Sequence, residues 1–230
     1  MPAPGDHWLV YADSVGPTNQ ILDDTGPNKT WNFSSGWNIY DTIHYHFSVP
    51  NIVPGASSFP AATIGVQADI NNSPASLFFS ASAGNLSVQG VYASNNNGTT
   101  TIVYSPAYHA IEFPLSYGQS WPIVERTVST AVFTGGTAVR TISHREGTIR
   151  CSAWGTLTTP SQTAPVLLSK KTYSIYTDST FTDLTGSGNF TYNNSSQRDK
   201  SKAQYNFYKN GPVVFVMDLS ADTEIGRAHV

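Results

Sequence analysis

Two histidines are the first residues whose spacing suggests chemistry. His44 and His46 lie two positions apart in the run Ile39 to Phe47. Because side chains alternate between the two faces of a β-strand, both imidazoles project from one face, where they could share zinc or copper. Two ligands do not complete a metal site, and a third would have to come from His109 or His144. We therefore predict no bound metal and no other cofactor, with His44 and His46 as the candidate ligands.

An acidic pair is the second candidate. Glu125 and Glu146 lie on neighbouring predicted strands, and two carboxylates facing each other across strands could hydrolyse a glycosidic bond. Arg126, Arg140 and Arg145 are nearby in the sequence and favour ordinary surface ion pairs instead. We predict surface pairing for these carboxylates and keep a hydrolase as an alternative.

The remaining candidates indicate structure more than reactivity. Asp23 and Asp24, beside Thr25-Gly26, offer oxygen ligands for calcium, although such a sequence usually forms a turn. Cys151 is the single cysteine, so no internal disulfide can form, and its apolar neighbours predict a small buried residue. The sequence contains no nucleophile elbow, zinc-protease helix, Walker loop or dinucleotide fingerprint. A Ser-His-Asp triad could be assembled only by the fold.

The composition indicates an extracellular protein. Only 12% of the 230 residues are charged, about half the usual share, and Ser, Thr and Asn supply the polar side chains instead. The formal net charge is -3, with no basic stripe, which argues against a nucleic acid partner. No apolar run approaches the roughly 18–20 residues that cross a bilayer, so we predict no transmembrane segment.

The strands that must position these residues are indicated by alternating apolar and polar residues. Ile39 to Phe47 is the clearest, and the Tyr205–Tyr208 and Val213–Met217 runs flank an Asn-Gly turn typical of hairpins. Further predicted strands are Trp8–Ala12, Thr63–Ile70, Ser76–Ala81, Leu86–Tyr92, Thr100–Tyr104, Ile123–Phe133 and Thr137–Arg145.

These strands predict an all-β fold, either an antiparallel β-sandwich or a strongly curved half-barrel. Clusters of Gly, Pro and Asn separate the strands, including the segment from Pro50 to Pro60. Helix should be a minor component, with one turn near Ser196 to Ala203.

Three motifs occur together in a fixed order: Lys29–Ser34, Phe113–Trp121 and Trp154–Ser161. With them the chain resembles the large, functionally uncharacterised β-rich ectodomains of Bacteroidota secreted proteins. The resemblance implies a signal peptide before this chain and a type IX secretion sorting domain after it. It also implies that Met1 is an internal residue and that the chain is clipped at its N-terminus.

The resemblance supplies no catalytic residues, and the motif residues are predicted to be structural. Phe113, Tyr117 and Trp121 should pack beneath a sheet corner, and Trp154 should be a core residue followed by a bulge or a close backbone approach at Gly155. The full set of predicted structural residues is Trp31, Phe33, Phe113, Pro114, Tyr117, Gly118, Trp121, Trp154, Gly155 and Pro160.

The chain also departs from the family pattern after Pro160. Gln162, Ala164 and Leu168 replace a glycine, an aromatic residue and an arginine. These replacements imply a wider hairpin after Pro160 and the loss of any site built on that arginine.

The domain prediction is a single all-β extracellular domain over residues 1–223. Residues 224–230 back-translate to a sequencing-library adapter, so we expect them not to be native and expect the natural chain to continue differently. They are therefore excluded as site candidates.

The function predicted from the sequence is a non-catalytic, secreted or cell-surface β module with a binding or architectural role in a larger protein. The candidate partners are a surface glycan, a lipid or a protein. A half-barrel that carries an apolar ligand such as a lipid is one alternative, and a secreted hydrolase of polysaccharide or peptide is the other. Nothing in the sequence indicates an oligomeric state.

Overall fold

Almost the whole of the described chain is β-structure. The computed structural model describes residues 3–13, 25–35, 39–70, 73–159, 162–193, 197–198, 202–208 and 214–219. The only helical elements there are two 3₁₀ turns, Pro50–Ile52 and Ala56–Ser58. The strands are β1 (His7–Asp13), β2 (Gly26–Asn32), β3 (Ile39–Ser48), β4 (Ile64–Ile70), β5 (Ser73–Ala81), β6 (Asn85–Asn95), β7 (Gly98–Glu112), β8 (Ser120–Phe133), β9 (Ala138–Thr158), β10 (Thr163–Asp183), β11 (Thr191–Asn193), β12 (Gln197–Arg198), β13 (Lys202–Tyr208) and β14 (Val214–Leu219). The predicted all-β class with little helix is confirmed.

The strands form one open sheet that is almost entirely antiparallel. From β3 to β10 each strand pairs with the next in the chain, β1 pairs with β3, and β13 and β14 continue the sheet beyond β10. The described ends of this path, β1 and β14, do not pair with each other. The exception to the antiparallel order is β2, which runs parallel to the end of β9. Among the helical elements described, none has the length and apolar character needed to cross a membrane.

Most predicted strands are present, usually longer than predicted. The pairing of β13 with β14 confirms the predicted terminal hairpin, although its turn at 209–213 lies outside the described residues. The helical turn predicted near Ser196 to Ala203 is wrong, because Gln197–Arg198 is β12 and Lys202 begins β13. The backbone N–H of Thr159 donates to the carbonyl of Gln162 at 2.7 Å, whereas residues 160 and 161 lie outside the described residues, so the wider hairpin expected after Pro160 stays a prediction.

The core is divided into clusters on both sides of the sheet. Trp31 and Phe33 of β2 pack with Phe207, whose ring meets that of Trp31 edge-on at 5.2 Å. The segment from Pro50 to Pro60, predicted as a turn, instead covers part of the sheet through buried Val53 and Phe59. Burial of these apolar rings is the main source of stability in a fold without disulfides.

The sheet changes from two layers to one along its length. In β8, residues 120–127 alternate strictly between exposed and buried, as a strand over a core should. From residue 128 onward the alternation stops. Residues 128–131 of β8 and the segments beside them in the sheet, 98–104, 139–145 and 173–182, are half-buried at every position. These four strand segments, which we call the single-layer region, make their extensive contacts with strands adjacent in the sheet. Both faces of the region are therefore accessible to water.

Candidate functional site

The carboxylate of Glu125 is a buried acidic group that faces a cation on the neighbouring strand. Glu125 lies directly opposite Arg145 in the β8–β9 ladder, and one guanidinium nitrogen, Nη1, lies 3.0 Å from Oε1 of Glu125. The Glu125 side chain is only 1% exposed. Within the described chain neither of its carboxylate oxygens has a partner in hydrogen-bond geometry, so the contact with Arg145 is a misaligned ion pair.

Aromatic rings and a second cation surround this pair. The ammonium of Lys171 on β10 lies 4.1 Å from the ring centre of Tyr108 and 4.6 Å from that of Tyr173. Lys171 is itself buried, at 4% exposure, and cation–π contacts of this kind are strongest when desolvated. We call Glu125, Arg145, Lys171, Tyr108 and Tyr173 the Glu125 cluster.

Desolvation controls the protonation of the cluster. Burial raises the pKa of Glu125, and the neighbouring charges of Arg145 and Lys171 oppose this rise only in part. Burial likewise raises the pKa of Tyr108 far above its ordinary value. A carboxyl group with a raised pKa can act as a general acid, but the 1% exposure of this side chain closes it to substrate. The buried side chains of the cluster, Glu125 and Lys171, are therefore a polar part of the core.

The two glutamates of the predicted acidic pair lie on opposite faces of the sheet. Glu125 pairs with Arg145, and Val124 pairs with Glu146, so alternation turns Glu146 away from Glu125. A pair of cooperating carboxylates is thus excluded for these two residues. The predicted surface pairing of Glu125 is also wrong, because its ion pair with Arg145 is buried.

His144 is held firmly on the face that carries Glu146. Its Nδ1 lies 2.7 Å from Oδ1 of Asp178, and its ring stacks on Tyr176 at 4.7 Å between ring centres. Its Nε2 lies 3.9 Å from a carboxylate oxygen of Glu146. The Asp178 contact orients the imidazole, an arrangement that sequence spacing did not reveal because the partners are 34 residues apart.

The predicted histidine pair gains a third ring. His44 and His46 do share a face, with parallel rings 6.4 Å apart, and Nδ1 of His46 lies 2.6 Å from Nδ1 of His7 on β1. A hydrogen bond between these nitrogens requires that one of them carry a proton. Over the described part of the chain, no three His, Cys, Asp or Glu side chains are grouped so as to hold a metal ion. Asp23 and Asp24 lie outside the described residues.

A second carboxylate, Asp183, organises the loop after β10. Its Oδ1 accepts hydrogen bonds from the backbone N–H of Thr185 and Gly186, and its Oδ2 accepts one from Gly188 at 2.6 Å. The hydrogen bonds from Thr185, Gly188 and Gly186 lower the pKa of Asp183. This arrangement fixes a turn and uses up both carboxylate oxygens.

Two motif aromatics lie where the sequence did not predict them. Trp154 is 42% exposed and Tyr117 is 51% exposed, so the predictions that they pack in the core are wrong. At Trp154 the cause is a register shift in β9 between Cys151 and Ala153, which changes the face that each following side chain occupies.

The other motif residues occupy structural positions. Trp31, Phe33 and Trp121 are 2%, 0% and 4% exposed. Gly155 meets the backbone of Lys29 so closely that a Cβ would collide with it, which is the close approach predicted there. Three motif residues lie in the connection from β7 to β8, where Phe113 is half-buried, Pro114 and Gly118 are exposed, and Gly118 has a φ of 85°. Pro160 lies outside the described residues.

Cys151 is fully buried, and burial raises its pKa to about 11, as expected for an unreactive thiol.

The two faces of the single-layer region differ in charge. One face, which we call the hydroxyl face, presents Thr100, Ser129, Thr141, Ser143, Thr180 and Thr182. The opposite face, which we call the charged face, presents Arg140 and His144 together with Thr101 and Thr130, and it continues beyond the region with Arg126 and Glu146. Pairing in the ladder places each set on one side, since opposite residues in neighbouring antiparallel strands point the same way.

An open depression lies at the segment that covers β4 to β7. It has a volume of about 440 Å³ and is lined mainly by small apolar residues, among them Pro50, Ala56, Phe59, Pro60 and Ala62. The volume is within the range of ligand sites.

Comparison with protein-family models, with curated proteins and with solved structures found no match to this chain.

The buried carboxyl group and the accessible side chains lie in different parts of the sheet. The carboxyl group of Glu125 is closed to substrate, whereas the accessible groups of the single-layer region stand on strands whose backbone hydrogen bonds fix their spacing. Side chains held at regular intervals on a rigid sheet can bind an extended or repeating ligand without moving.

Proposed function

We propose that this chain is a non-catalytic binding or architectural module of a secreted or cell-surface protein. One observation carries the proposal: the single-layer region leaves both faces of four paired strand segments in contact with water. Isolated sheets usually bury at least one face, so an exposed pair of faces on rigid strands is suited to contact with another surface.

The composition of the region supports an extracellular setting. Its polar side chains are largely Thr and Ser, which hydrogen-bond to water without carrying charge, and Thr also favours extended backbone. The low charge content of the whole chain, 12%, follows the same trend. Localisation to the secreted or outer-surface compartment is part of the proposal.

The test is a binding screen run beside a turnover assay. The full chain is applied to arrays of glycans and to lipid vesicles, and is incubated with chromogenic glycosides and peptides. We expect retention on a surface ligand and no product. Product formation that is lost in His144→Ala or Glu125→Gln, in variants that keep their fold, would show that the module is an enzyme.

A second candidate, the carrier of a small apolar ligand, is supported by the depression of about 440 Å³ at Phe59. Its test is displacement of a fluorescent fatty acid. Binding through the depression predicts that Ala56→Trp, which fills the space, abolishes the signal, while Ala83→Trp, at an exposed position in the turn between β5 and β6, leaves it unchanged. Equal signals from both variants would exclude the depression as a carrier site.

A further inference from the structure

We infer that the hydroxyl face of the single-layer region binds an uncharged polysaccharide. The inference rests on the proposed function and names the ligand class for it. It identifies one of the two exposed faces as the contact surface and gives the chemistry of the ligand.

The register of the sheet places the hydroxyl side chains in rows. Ser129 lies opposite Thr141, which lies opposite Thr180, so one row crosses β8, β9 and β10. Thr100 and Thr182 lie in the next row, two residues further along their strands. Neighbouring strands are about 4.7–4.9 Å apart, and residues two apart on a strand are separated by roughly 6.8 Å. The face is therefore a two-dimensional array with a fixed spacing.

The chemistry of this array matches a sugar polymer. Each hydroxyl can donate and accept a hydrogen bond, as can each hydroxyl of a pyranose ring. The threonine methyl groups, together with Ile102 and Val139 in the same rows, offer apolar surface to the C–H groups of a pyranose face. Rigid strands lose little side-chain entropy on binding because Thr is restricted at χ1.

The distribution of charge selects an uncharged ligand. Beyond Arg145, whose charge is paired with Glu125, the described side chains of the hydroxyl face include no Asp, Glu, Lys, Arg or His. The other charged or histidine side chains within the single-layer region, Arg140, His144 and Asp178, are on the charged face. An anionic polymer such as a nucleic acid or a sulfated glycan would find no counter-charge on the hydroxyl face, whereas a neutral polysaccharide needs none.

The test compares two adjacent threonines of β7. Thr100 is on the hydroxyl face, and Thr101, which pairs with Thr130 in the row of Arg140, is on the charged face. Thr100→Arg and Thr101→Arg therefore place the same side chain at neighbouring positions on opposite faces. A third variant, Thr141→Arg, places it in the centre of the hydroxyl face. Circular dichroism and thermal melts of all three establish that they are folded.

The measurement is co-sedimentation of the full chain with insoluble cellulose, chitin and β-1,3-glucan, and with alginate as a charged polymer. We expect retention on at least one neutral polymer, a loss of at least tenfold in apparent affinity for Thr100→Arg and Thr141→Arg, and a change below twofold for Thr101→Arg. Retention on alginate alone, or equal losses from Thr100→Arg and Thr101→Arg, would overturn the inference. Failure to bind any neutral polymer would also overturn the inference. The proposed non-catalytic role would be unaffected by that failure, provided that the turnover assay gives no product.

Discussion

Glu125 and Arg145 face each other across β8 and β9 with their charged groups 3.0 Å apart, and the carboxylate side is closed to solvent. Opposite charges at such paired positions stabilise a sheet when they remain wet. Here the loss of hydration outweighs the attraction, since the pKa of Glu125 is raised despite the cation beside it. The ion pair is therefore buried in the core but contributes little to the free energy of unfolding.

Removal of one partner should reveal this balance. Arg145→Met leaves the Glu125 carboxylate buried beside fewer positive charges, and we expect a loss of about 3–5 kcal/mol in the free energy of unfolding at neutral pH. The double variant Glu125→Leu/Arg145→Met removes both charges and should be more stable than Arg145→Met alone. Urea denaturation measures both values, and losses that simply add in the double variant would contradict a coupled pair.

Gly155 provides a test of how β2 is attached to the sheet. A Cβ at Gly155 would collide with the backbone of Lys29, whereas at Gly84 no atom lies within 4 Å of the added carbon. We expect Gly155→Ala to lower the free energy of unfolding by about 1–3 kcal/mol, because the parallel pairing of β2 must shift. Gly84→Ala is the matched control and should be close to neutral. Equal stabilities of the two variants in urea would show that the close approach is not a constraint.

Because Trp31 is buried and Trp154 is partly exposed, replacing each with alanine should change the free energy of unfolding by different amounts. Trp31→Ala removes a side chain that is 2% exposed and should cost about 3–5 kcal/mol. Trp154→Ala removes one that is 42% exposed and should cost less than about 1 kcal/mol. Chemical denaturation followed by circular dichroism gives both values. A larger cost for Trp154→Ala would restore the core position that the sequence suggested.

Alternation predicted most of the strands, including three of the four segments of the single-layer region, and failed for β10. β3, β4 and β8 each carry apolar residues on one side, and their positions were predicted closely. β10, with 21 residues, was not predicted as a strand. Along 173–182 both of its faces are half-exposed, so no apolar period marks it. A strand in a single layer has no reason to alternate.

The burial of Glu125 could have been predicted from its position in the alternating sequence of β8. One face of β8 carries Trp121, Ile123, Glu125 and Thr127. All four are buried, and Glu125 is the charged one among them. A charge in phase with apolar residues indicates a buried charge with a partner opposite. Lys171 could not be found this way, because its strand lacks the pattern and its aromatic neighbours Tyr108 and Tyr173 are brought together only by the fold.

The raised pKa of Glu125 predicts the direction in which stability changes with pH. Because its pKa in the folded chain lies above the ordinary glutamate value of about 4.3, the native state binds the proton more tightly than the unfolded state. Between the two pKa values the free energy of unfolding must therefore fall as pH rises, by at most about 1.4 kcal/mol per pH unit, and it levels off above the folded pKa. Stability from this group is greatest in acid.

Asp183 acts in the opposite sense, so the wild-type curve alone does not isolate Glu125. The lowered pKa of Asp183 gives a contribution that is present above its ordinary pKa and is lost as pH falls through its folded pKa. The difference between wild type and Glu125→Gln cancels this term. Measured by urea denaturation from pH 4 upward, that difference should decline with pH and then become constant. Glu146→Gln removes an exposed carboxylate from the opposite face and serves as the control: the difference in free energy of unfolding between Glu146→Gln and Glu125→Gln should also decline with pH. A difference between wild type and Glu125→Gln that rises with pH or stays flat would contradict the raised pKa of Glu125.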